Sequence, residues 1–291
     1  MDAVTQVPTL AARLGYAPDA RLLIVNCDDF GSSHAANRAI VRAINDGFAS
    51  SATLMVPCPW AREAARRASD LDVGIHLTLT AEYPGYRWRS LTGAKSLHDG
   101  DGFLPRTAEE VWAKADLADV EAECRAQIEQ AMAWGVDVTH LDAHMGTMQI
   151  RRPYFEIYLA LARAYRLPLR MVSARHEKQM GFSCRAKVAD SGVIFPDYLI
   201  APRWGEPAAG VLDAALENLR PGVSEIFLHP VEDGPELRGY DPENADLRAA
   251  DFLCLTDPEL RRRADQHSVR TVSFRPLRDL MRADYKSVHA T

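Results

Sequence analysis

Two adjacent carboxylates, Asp28 and Asp29, close an apolar run in RLLIVNCDDFG, residues 21–31. Neighbouring residues point to opposite sides of an extended chain, so one carboxylate could bind a metal while the other meets a water. The plainer use of Asp and Gly at such a place is a turn. His76 ends a second apolar run in GIHL, where a lone histidine is more often packed core than ligand. In HLDAH, alternation puts His140, Asp142 and His144 on one side of an extended segment. Asp142 is then placed to accept a ring N–H and set a histidine's tautomer, a frequent outer contact of metal-ligating imidazoles. His229 follows EIFL and precedes Pro230, and its side chain suits acid–base work near neutrality. His34 stands just after DDFG, within reach of the same place. One carboxylate with two imidazoles is a ligand set for a divalent cation with open positions.

The residues between these motifs alternate in pattern. Strands are expected at 21–27, 52–56, 72–77, 136–141, 167–172, 193–195, 223–228 and 269–274. Helices are expected at 33–46, 60–68, 120–134, 154–165, 211–219, 258–266 and 277–282, the first capped by Ser33. This alternation predicts βαβ units and an α/β fold with a parallel sheet. No GxGxxG follows the first strand, which disfavours an open dinucleotide-binding sheet. An irregular, TIM-like (β/α) barrel fits better. Asp28, Asp29, His76, His144 and His229 then share one face, because barrel enzymes collect their chemistry at the C-terminal ends of the strands. Residues 81–110, rich in Gly, polar and aromatic residues, are too long for an ordinary connection and read as an inserted lid or binding loop. With no repeat or linker in view, residues 1–291 are expected to form one domain.

Composition narrows the function classes. The net charge is −6, with no polybasic stretch, so nucleic acid is not an expected partner. No apolar run approaches the ~20 residues of a membrane span. The opening residues MDAVTQVPTLAARLGY lack the basic start and long apolar core of a secretion signal. Five widely spaced cysteines, an odd number without a CxxC pair, point to a reducing cytoplasm and away from a disulfide framework. A homodimer remains an open expectation.

Taken together, LIVNCDDFG, NRAI, SATLMVPCP, DVGIHLTLT, THLDAH and FLHP occur in one order across residues 21–230. In this the chain resembles the YdjC-like (ChbG-type) carbohydrate deacetylases. The resemblance implies an irregular (β/α) barrel and metal-dependent removal of acetyl groups from an N-acetylated sugar or oligosaccharide. By position it makes Asp29, His76 and His144 the ligands of one divalent metal ion, Asp28 the general base and His229 the general acid. A metal-activated water would attack the acetamide carbonyl. Zinc is favoured by the two imidazoles; magnesium or another divalent ion is also consistent with the family. Arg170, in a Pro-x-Arg element, would orient the base or the substrate, and Asp142 would support a ligand. Tyr83, Tyr86 and Trp88 of the insertion could pack on sugar faces, or simply anchor the loop. Cys27, Gly146 and Val231 depart from the family pattern and bear on substrate more than on chemistry. Two other readings stay open: a metal-dependent hydrolase of another ester, amide or phosphoester, and a non-catalytic carbohydrate-binding protein.

Overall fold

In a computed structural model of the chain, residues 8–289 are described. Residues 1–7, part of the segment read for a secretion signal, lie outside them. Strand β1 (Arg21–Phe30) is buried along its whole length from Leu22. That continuous apolar run is what a parallel strand covered on both faces requires. Around it lie β2 (Ser51–Leu54), β3 (Val73–Leu77), β4 (Val138–Ala143), β5 (Tyr198–Ile200), β6 (Gly222–Leu228) and β7 (Val269–Thr271). The order is β4-β3-β2-β1-β6-β5, with β7 also pairing β1, and every pairing is parallel. The sheet curls into a half-barrel flanked by helices, an irregular TIM-like α/β fold.

Most expected elements form within a few residues of their expected limits. Helix His34–Asn45 begins where Ser33 Oγ accepts the Ala36 amide at 3.0 Å, and it buries Ala36, Ile40 and Ala43 against the sheet. Two expected strands do not form as drawn. Residues 167–172 touch β4 through a single bridge, Leu141 with Leu169. Pro168 lacks the amide a ladder would need, so pairing is confined to the bonds beside it. Residues 193–195 run into Pro196, and strand structure resumes only at Tyr198.

Residues 81–110 are largely irregular, with a short turn at Lys95–Leu97; the helix Ala108–Lys114 begins inside the segment. The loop is nevertheless held to the body. Trp88, Leu97 and Leu104 are buried, and the buried Glu123 carboxylate accepts the amides of Leu91 and Thr92. Among the described residues no helix is long and apolar enough to cross a membrane. All five cysteines are unpaired.

Candidate metal centre and active site

Strand alternation would send Asp28 and Asp29 to opposite sides, but both line the same cleft. Asp29 adopts φ 65°, a left-handed conformation that Asp tolerates better than most residues. The register of β1 against β2 shifts between Cys27 and Phe30 at the same place. This irregularity turns the second carboxylate back beside the first.

Three ligand-type atoms meet there. Asp29 Oδ1 lies 3.5 Å from His76 Nε2 and 3.4 Å from His144 Nδ1, and the two ring nitrogens are 3.4 Å apart. Adjacent ligands of a tetrahedron with ~2.1 Å bonds are about 3.4 Å apart. In an octahedron of that bond length they are about 3.0 Å apart. The triangle therefore has the edge of a tetrahedral site. Asp29 Oδ1 is buried and has no hydrogen-bond partner in the protein. Burial alone would make the His144 ring harder to protonate, yet Glu82 and Asp29 push it up to about 10. The spot thus favours positive charge, from a ring proton or from a cation. The residues fit a divalent metal.

The other sequence-marked groups stand around this triangle. Arg170 donates to Asp28 through Nη1 at 2.7 Å and Nη2 at 2.8 Å, a two-pronged grip. It also donates to Asp142, and through Nε to Glu225 at 2.6 Å. Burial would raise the Asp28 carboxyl, but Arg170, with His76 and His229, holds it well below the usual carboxylate range. Burial pushes Glu225 up to about 7 despite the same guanidinium. Asp142 Oδ2 sits 2.7 Å from His76 Nδ1, a close contact off the line of an N–H bond. His229 Nε2 is 3.9 Å from Asp28 Oδ2. Burial lowers the His229 pKa against the pull of Asp29 and Asp28, which disfavours the charged ring.

Several groups that carry no motif complete the cleft, which holds about 570 Å³. Glu82 Oε2 lies 3.1 Å from His144 Nε2. Arg248 donates to Asp29 Oδ2, to the Tyr83 hydroxyl and to Asp241. Trp204, largely exposed, stands edge-on to His229 at 5.3 Å between ring centres. Three marked residues are elsewhere. His34 packs on Trp60 at 4.8 Å. Tyr86 donates to the Ser32 carbonyl, and Trp88 to that of Thr80. None of the three lines the cleft, and the contacts of Tyr86 and Trp88 are those of loop anchors. His140, expected on the same side as Asp142 and His144, is also outside the cleft, buried and stacked on Phe274 at 3.7 Å. A larger concavity of about 900 Å³ runs beside β5 and contains none of this chemistry.

The sequence matches the family described as YdjC-like protein over residues 22–266. The chain belongs to the YdjC-like family. A carbohydrate deacetylase of Thermus thermophilus is 35% identical, the match covering 87% of this chain and 92% of that protein. One of Geobacillus stearothermophilus is 32% identical over 88% of this YdjC-like chain and 97% of its own. A crystal structure from Enterococcus faecalis, named for cellobiose-phosphate cleavage, superposes with a TM-score of 0.76 at 25% identity. It covers 89% of this chain and 99% of that one.

Proposed function

We propose that this YdjC-like protein is a metal-dependent carbohydrate deacetylase that hydrolyses the acetamide of an N-acetylated sugar or oligosaccharide. The observation that carries the reading is the Asp29–His76–His144 triangle with Asp28 and His229 beside it in one cleft. The relatives named carbohydrate deacetylase support the acetylated sugar as substrate. Asp29, His76 and His144 would hold the cation. Two imidazoles and tetrahedral edges favour zinc over magnesium, which prefers oxygen ligands in an octahedron. When bound, the ion would polarise the acetyl carbonyl and lower the pKa of a water.

The proton path is then set by this chain's own groups. Asp28, kept ionised by Arg170, takes the water's proton. Arg170 also fixes the direction of the Asp28 oxygens, so the acceptor is in place before substrate arrives. His229, whose charged form burial disfavours, must carry a proton when it protonates the leaving amine; Asp28 is the adjacent carboxylate. A cytoplasmic setting suits the five unpaired cysteines. The reading is tested by acetate release from N-acetylglucosamine and its short oligomers with zinc-loaded protein. Release that disappears in Asp28→Asn supports it. No release from any acetylated sugar under zinc, manganese or magnesium would sink it.

A further inference from the structure

The two oxygens of Asp29 have different surroundings. Oδ1 faces the two ligand nitrogens and has no hydrogen-bond partner. Oδ2 accepts from Arg248 Nη1 at 2.9 Å. Arg248 is buried in the helix Ala245–Leu255, 219 positions further along the chain. Its other two nitrogens are also engaged: Nε by Asp241 Oδ2 at 2.8 Å and Nη2 by the Tyr83 hydroxyl at 2.8 Å. Asp241 in turn accepts from Asn244 at 2.7 Å. The guanidinium is held from three sides, and its plane fixes the direction of each bond.

A carboxylate with both oxygens free can chelate a cation through both. One whose second oxygen is held by a rigid, charged donor offers a single oxygen. We propose that Arg248 is a positioning residue that restricts Asp29 to one-oxygen ligation, and that Tyr83 joins the insertion to the metal centre through it. Glu82, the preceding residue of the loop, contacts the outer nitrogen of His144. Two neighbours in the insertion thus brace two of the three ligands, one directly and one through Arg248. The loop is part of the site's construction, in addition to any contact with substrate. This inference rests on the metal-binding reading above.

The test uses the full-length protein loaded with zinc or cobalt(II), as wild type, Arg248→Met, Arg248→Lys and Tyr83→Phe. Zinc affinity is read by competition with a chelator, and geometry by the cobalt absorption spectrum. Losing an outer contact of a metal ligand typically costs about ten- to a hundredfold in affinity. Arg248→Met is expected to fall in that range. Its cobalt bands should weaken as Asp29 gains a second bond and the ion leaves tetrahedral geometry. Arg248→Lys should recover part of the affinity, and Tyr83→Phe should shift both readouts by less in the same direction. If Arg248→Met does not fold, the other two variants decide. Folded variants with wild-type affinity and an unchanged cobalt spectrum would overturn the role of Arg248 alone. A wild-type protein that takes up neither zinc nor cobalt would overturn this inference together with the metal-binding reading.

Discussion

At Asp28 burial and charge compete, and charge wins. A buried carboxyl left alone would hold its proton. The two-pronged grip of Arg170 keeps it ionised instead. Asp28→Asn keeps the shape and removes the proton acceptor. It should retain the metal but lose roughly 10²–10⁴-fold in kcat; full turnover in that variant would remove Asp28 as the base. Asp251 shows the opposite balance. It accepts the His229 amide at 2.9 Å, and burial pushes its carboxyl up to about 6. Its folded pKa lies above its unfolded one, so its stabilising effect is full below about pH 4 and is lost as pH rises through 6. The stability of wild type relative to Asp251→Asn should therefore fall by up to about 3 kcal/mol between pH 4 and 7. Denaturant titrations at several pH values would show it, and a pH-independent difference would contradict it. The carboxylates and histidines at strand ends were legible because their residue types stand out against apolar runs. Arg248 and Glu82 were not. Each belongs to a polar stretch without a motif, and their contacts with the ligands join residues 219 and 62 positions apart.

Among the elements, β3 and β4 position both histidine ligands, and Gly74 lets them approach. A Cβ on Gly74 would lie 2.5 Å from the His140 ring, which stacks on Phe274. Gly74→Ala must displace that ring, and overpacking of this kind costs about 1–3 kcal/mol. Urea unfolding would measure it; an unchanged midpoint would mean the ring moves freely. The parallel strands were readable from their apolar runs, as was the helix behind Ser33. The kink at Asp29 was not, since alternation assumes unbroken extension and one left-handed residue reverses it. The 167–172 segment had a strand's composition, and Pro168 limited its pairing. The helix Ala245–Leu255 is not legible in the sequence because its buried face includes Arg248 and Asp251, which interrupt the apolar period that marks a helix.

For the whole molecule, the half-barrel gathers ligands from β1, β3 and the turn after β4. The site exists only when those segments are together, so a metal that binds it stabilises the fold. At a free concentration a hundredfold above Kd the gain is about 2.7 kcal/mol. The melting temperature should rise with added zinc in the wild type, fall with a chelator, and respond to neither in a His76→Ala/His144→Ala variant. A metal-independent melting curve in the wild type would contradict a site formed by folding. The measurement that bears most directly on the whole account is elemental analysis of the purified wild-type protein beside that double variant. The account expects about one transition-metal ion per chain in the wild type and none in the variant. A wild-type protein without metal, even after incubation with zinc, manganese and magnesium, would contradict it.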